Sequence, residues 1–228
     1  LKNEKNLLPL AKDRKVLVTG PTADSLISLN NGWTYVWQGN NADLYPKDRP
    51  TVLQAIQAKV GKNVTYVPGT TLDKEIDIQA AVRAASEADV AIVCLGEGSY
   101  CETPGNITDL TLDDAQLRLA EAIGATGKPV VLVLIEGRPR VINLIAERAG
   151  AILMAAGRER GSGGIVALLI TLAVFGGVVN KTHQAFDNHG NNWNFGWDDD
   201  DDNGDHDYGF HHDDDSDDAN DDDEDKDS

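Results

Sequence analysis

Two glutamates, Glu97 and Glu102, stand five residues apart in the stretch GEGSYCETPGN, residues 96–106. The stretch follows DVAIVCL, an apolar run that reads as a buried strand. Ligands of open α/β sheets sit in loops beyond strand ends. A carboxyl group held there can protonate a glycosidic oxygen and later activate a water. The same composition also describes two solvated loop carboxylates.

A second stretch, NGWTYVWQGN at residues 31–40, places Trp33 and Trp37 in a Gly- and Asn-rich loop without periodicity. Tryptophans flanked by amides suit sugar: the ring face meets C–H groups and the amides meet hydroxyls. The alternative is that both rings anchor the loop to the core. In EGRPR, residues 136–140, Arg138 could bind an anionic group or lock its loop through Glu136. TGPTADS, residues 19–25, lacks both the G-x-G-x-x-G pattern and a G-K-[ST] ending. It reads as a structural turn, and no cofactor is expected.

In the acidic C-terminal stretch, Asp199, Asp201, Asn203 and Gly204 match the first half of a calcium loop. Phe210 occupies the place where such a loop needs a bidentate Glu, so these residues are a weak calcium candidate only: no specific metal site is expected, and loose cation condensation on the polyanion is the better reading. His206, His211 and His212 could ligate a transition metal, but polar tails often carry such clusters without function. Asn63, Asn106 and Asn180 head N-x-[ST] triplets, which are common by chance.

These residues need a scaffold, and the sequence describes one. Strand signals recur at residues 15–20, 63–69, 89–96, 129–137 and 150–157. Helical patterns lie between them at 51–61, 75–88, 111–127 and 141–149. The strands are continuous apolar runs with no polar face. The expected fold is therefore α/β: a three-layer sandwich, with a largely parallel sheet covered by helices on both faces. A further covering helix is expected within residues 165–179, an apolar run of 15 residues. It is shorter than the roughly 20 residues needed to span a bilayer, so no membrane span is expected. The sandwich is placed at residues 1–180, and a polar, then acidic tail at 181–228.

The formal charge of -18 is unevenly distributed. Residues 198–228 hold 17 Asp, one Glu and one Lys, or -17, which leaves -1 for the preceding 197 residues. Disorder is expected for such a tail, because it cannot bury enough apolar surface to offset chain entropy. No basic stripe suits nucleic acid. Cys94 and Cys101 are the only cysteines, and two free thiols are expected. LKNEKNLLPLAKDRK, at the N-terminus, has no signal-peptide character.

Five stretches in order, LKNEKNLLPL, NGWTYVWQGN, YPKDRPTVLQAI, LGEGSYCETPGNITDLTLDDAQ and TGKPVVLVLIEGRPRVI, resemble one family. It is the C-terminal α/β sandwich domain of glycoside hydrolase family 3, the bacterial β-glucosidase type, and the resemblance covers residues 1 to about 156. It implies retaining hydrolysis of β-linked glucosides or oligosaccharides. An N-terminal barrel carries the nucleophilic Asp in that family, and the sandwich supplies the acid/base. In the pattern GE-x-x-Y-x-E-T-x-G, Glu102 takes the acid/base place, with Glu97 as runner-up. Trp37 of WQG takes the stacking place, with Trp33 in support. A periplasmic or secreted setting suits the implied parent enzyme. The family's P-G-x-E-G-G and F-G-D-x-x-P-S-G-K-L-P stretches are replaced here by GRERGSGG and FGGVVNKTHQ. No barrel and no nucleophile motif accompany the sequence, so the chain is expected to hold half an active site and to be inactive alone. The alternative is a non-catalytic sugar-binding module with a cation-binding tail.

Overall fold

In the computed structural model the described residues are 2–156, 170, 171 and 173–176. The expected tail, the division near residue 180, the calcium candidates Asp199, Asp201 and Asn203, the three tail histidines and Asn180 all lie outside them.

The described strands are β1 (Lys2–Asn3), β2 (Val16–Thr19), β3 (Val64–Tyr66), β4 (Val90–Gly96), β5 (Val130–Glu136) and β6 (Ala151–Ala156). The helices are α1 (Leu26–Asn30), α2 (Val52–Val60), α3 (Ile78–Glu87), α4 (Asp114–Gly124) and α5 (Asn143–Ala146). The sheet order is β1-β6-β5-β4-β2-β3. All pairings are parallel except β1 with β6.

The central strands β2, β4 and β5 are buried along their whole length because both faces are covered. Along β4, Val90, Ile92 and Cys94 join one buried cluster with Leu53 and Ile56 of α2 and Leu29 of α1. Ala91, Val93 and Leu95 join another, with Ala81 and Ala85 of α3, Leu119 and Ile123 of α4 and Ile145 of α5. β5 alternates in the same way, Val131, Val133 and Ile135 against Val130, Leu132 and Leu134. One strand therefore feeds two cores, which is the three-layer α/β sandwich expected from sequence. Residues 170, 171 and 173–175 are helical, and Ile170, Val174 and Phe175 are buried in the first cluster. No helix among the described residues is long and apolar enough to cross a membrane.

Element ends shift where side chains cap them. The third helix starts at Ile78, not near residue 75, because Asp77 accepts the Ala80 amide at 2.7 Å and ends the preceding turn. α2 carries a capping box between Thr51 and Gln54. α4 starts at Asp114, since Thr111 is bridged instead to Val141. β1 and α1 have two and five residues, too few for a periodic signal.

Topology places the candidate loop. The chain leaves β2 for β3 on one side, then crosses back to β4 on the other side of β2. Loops leaving β2 and β4 thus diverge, and that divergence opens the crevice where doubly wound sheets bind ligands. The stretch from Gly96 to Asn106 leaves β4 at this point.

Candidate active site

Gly96 ends β4 at φ 149, and a Cβ there would overlap the Ile135 carbonyl of the neighbouring strand. Only glycine lets the chain turn away so close to β5. The buried Gln116 of α4 fixes the same point: its Oε1 accepts the Gly96 amide at 2.9 Å, and its Nε2 donates to the carbonyls of Gly96 and Leu72.

The two glutamates then part. The Glu97 side chain is 9% exposed and lies 3.3 Å from Arg138 Nε and 3.5 Å from Arg140 Nη1. Its Oε2 accepts from the Tyr100 hydroxyl at 3.2 Å and from the Gly137 amide at 3.1 Å. Arg138 Nε also donates to Tyr100 Oη at 2.7 Å, and its guanidinium carbon lies 3.9 Å from the Tyr100 ring centroid. Burial raises the Tyr100 hydroxyl pKa, while its hydrogen bond from Arg138 opposes the rise. Cβ atoms at Gly105 and Gly137 would both strike Tyr100, so these glycines form the slot that holds the ring. The expected lock of Arg138 through Glu136 is therefore corrected: Arg138 closes on Glu97 and Tyr100. The reason is local direction, since Glu136 is the last residue of β5 and is 2% exposed. Burial pushes its carboxyl up to about 7, the Glu97 charge adds to this, and Arg140 opposes it. Its Oε1 and the Arg140 Nε are both buried without a hydrogen-bond partner.

Glu102 has the opposite surroundings. It is exposed, and no hydrogen bond or ion pair among the described residues engages its carboxyl. Its backbone sits at φ 52, ψ -146, a sparsely populated region for a side-chain-bearing residue, costing about 1–3 kcal/mol. A 3-10 turn over Thr103–Gly105 follows, closed by the Gly105 amide on the Glu102 carbonyl at 2.9 Å.

The tryptophan loop is tied to this turn. Gln38 pairs with the Cys101 backbone in both directions, accepting its amide at 3.1 Å and donating to its carbonyl at 3.2 Å. Cys101 Sγ donates to the Trp37 carbonyl at 2.8 Å, and the Trp33 amide donates to the same oxygen at 2.8 Å. Asn31 Oδ1 accepts the Tyr100 amide at 3.2 Å. Trp33 and Trp37 are 51% and 50% exposed. They do not anchor the loop; buried Thr34 does, through its hydroxyl on the Asn30 carbonyl at 3.1 Å. Cys94 and Cys101 are both free and buried, and burial pushes the Cys94 thiol up to about 12.

The fold thus brings the 31–40 and 96–106 loops together with the EGRPR turn. Composition alone missed Gln38, Tyr100, Arg140 and Gln116. Gln38 and Tyr100 stand inside the two quoted loops, and Arg140 stands inside EGRPR. Gln116 gave one faint signal, an amide at a core position of an amphipathic helix.

A family model described as the glycosyl hydrolase family 3 C-terminal domain matches residues 1–215. A lysosomal beta glucosidase of Dictyostelium discoideum is 37% identical over 151 residues, 62% of this chain and 18% of that protein. A beta-xylosidase of Formosa agariphila is 38% identical over 160 residues, 67% of this chain and 22% of that protein. The chain therefore spans about a fifth of the length of these relatives. A crystal structure of a beta-glucosidase from Listeria innocua in complex with isofagomine superposes with a TM-score of 0.63. It is 30% identical and covers 75% of this chain and 23% of that one.

Proposed function

The chain belongs to the glycosyl hydrolase family 3 C-terminal domain family, and from that premise we propose that it is the acid-bearing half of a retaining β-glucosidase site. The observation that carries the reading is the contrast between the two loop glutamates. Glu97 is spent on two arginines, a tyrosine and an amide. Glu102 is exposed, unpartnered among the described residues, and held on strained backbone beside the tryptophan loop.

In this reading Glu102 gives its proton to the glycosidic oxygen as the bond to the anomeric carbon breaks. A carboxylate on a partner barrel domain attacks that carbon and forms the glycosyl-enzyme. Glu102, now ionised, takes a proton from the water that releases the sugar. Trp37 and Trp33 hold the sugar beyond the scissile bond against their ring faces. Retaining chemistry needs the two carboxyls about 5 Å apart. Neither Glu97 nor Glu136 is free to serve as the second, because both are buried among the arginines and each other's charge. The purified chain is accordingly expected not to hydrolyse an aryl β-glucoside.

The test joins the chain to a matching barrel and compares Glu102→Gln with Glu97→Gln. Glu102→Gln should slow substrates with poor leaving groups by about 10²–10⁴-fold. Activated aryl glucosides, which hardly need protonation to depart, should lose far less in the glycosylation step. That leaving-group dependence in Glu97→Gln alone would exchange the two roles. Its absence from both variants would leave the loops as a sugar-binding surface without an acid.

A further inference from the structure

We propose that Tyr35 marks a second sugar-binding position, next outward from Trp37, which gives this domain a preference for β-linked glucose oligomers longer than a disaccharide. The proposal rests on the reading of Trp37 as a sugar-stacking residue. Tyr35 itself is taken from the structure.

The loop at residues 31–39 is held rigidly, yet its aromatic rings are left in water. Asn31, Trp33 and Tyr35 take φ values of 63, 59 and 61, all in the left-handed region. Such backbone is unfavourable for residues with a side chain, least so for Asn. Hydrogen bonds hold the loop in this shape, from the Trp33 amide to the Trp37 carbonyl and from the Gly39 amide to the Val36 carbonyl. The rings gain little burial in return, since Tyr35 is 54% exposed and the two tryptophans about as much. Strain maintained to keep aromatic faces exposed points to a ligand surface.

The loop also has a direction. Trp37 is bonded through its carbonyl to Cys101, the neighbour of Glu102. Tyr35 instead meets Tyr45, edge to face, with centroids 5.3 Å apart and planes at 83°. Tyr45 is itself buried, and its hydroxyl donates to the Gly39 carbonyl at 2.6 Å. The loop is thus tied at two places, the Trp37 backbone to Cys101 beside Glu102 and the Tyr35 ring to Tyr45, with Tyr35 midway along the turn that the Trp33 amide and Trp37 carbonyl close. Residues 16–46 contain no Lys or Arg, while Asn40 and Asn41 are exposed. A neutral ligand rich in hydroxyls, with apolar C–H faces, fits such a surface better than an anionic one.

The experiment titrates the full 15N-labelled chain with β-1,3-linked glucose oligomers of two to five units, following the indole signals of Trp33 and Trp37. Affinity should rise about 5–10-fold from the disaccharide to the longer oligomers, the effect of one added aromatic contact. Tyr35→Gly removes the ring and relieves the left-handed backbone, and unchanged Trp33 and Trp37 indole signals in the free variant check that the loop is kept; it should abolish the rise and leave disaccharide binding intact. Tyr35→Phe should keep the rise. Trp37→Ala should weaken every length. If the rise persists in Tyr35→Gly while Trp37→Ala still weakens all lengths, the second position is overturned and the reading of Trp37 stands. If no oligomer shifts either indole signal, or Trp37→Ala binds all lengths like the parent chain, the reading of Trp37 falls and the proposal falls with it.

Discussion

Two regions only a few residues apart in the loop after β4 are built on opposite terms. The ionic cluster of Glu97, Glu136, Arg138, Arg140 and Tyr100 is buried or half-buried, and Glu97 ties Arg138, Arg140 and Tyr100 together. The aromatic loop and Glu102 are exposed, and their backbone is strained at Asn31, Trp33, Tyr35 and Glu102. The first region lends rigidity to the second. Tyr100, fixed by Arg138 and Glu97, lies two residues before Glu102 and hydrogen-bonds Asn31 at the start of the aromatic loop. A residue type alone therefore says little here: the same carboxyl group is a brace at position 97 and has no partner among the described residues at position 102.

The comparison breaks most visibly at the brace. Glu97→Gln leaves Arg140 buried with its ion pair removed. Breaking a buried pair from one side costs about 3–5 kcal/mol. Urea unfolding of the chain should show a loss of that order, and Glu102→Gln should show almost none. Equal losses would mean that the two glutamates are not differently employed.

Glu136 sharpens the contrast through pH. Its carboxyl is pushed from 4.5 up to about 7 in the folded chain, chiefly by burial. A raised carboxyl pKa favours the protonated folded form, so this contribution is fully present below about pH 4.5. It fades as pH rises and is gone above about 7, a fall on the order of 3 kcal/mol. Unfolding free energies measured from pH 4 to 8 should decline across that window. Glu136→Gln should flatten that part of the profile. An unchanged slope in the variant would show that Glu136 does not carry the titration.

The smallest expected effect is at the seam between the regions. Gln38→Ala removes the two-way pairing with Cys101 and should cost about 1–3 kcal/mol. Cys101 should then react faster with a thiol reagent under native conditions. Cys94, fully buried and with its thiol pushed up to about 12, should stay silent as the internal control. Unchanged labelling of Cys101 would show that the aromatic loop and the acid loop are held independently.

Sequence by itself determined the layers. Burial on both faces of a strand leaves a continuous apolar run, and a helix on that face leaves a 3.6-residue period, so β4, β5, α2 and α4 were legible from local pattern. It also marked both loops, because glycine, proline and asparagine interrupt those patterns, and because the resemblance rested on Glu102, Trp37 and their neighbours. Tertiary structure alone decided which carboxylate is free. Glu97 is claimed by Arg138 and Arg140, which come from the next strand's loop, and no local period encodes a partner some 40 residues away. The same holds for Gln38 with Cys101, 63 residues apart, and for Gln116 with the end of β4. Hydrogen bonds and ion pairs act over a few ångströms, and only folding brings such distant residues within that reach.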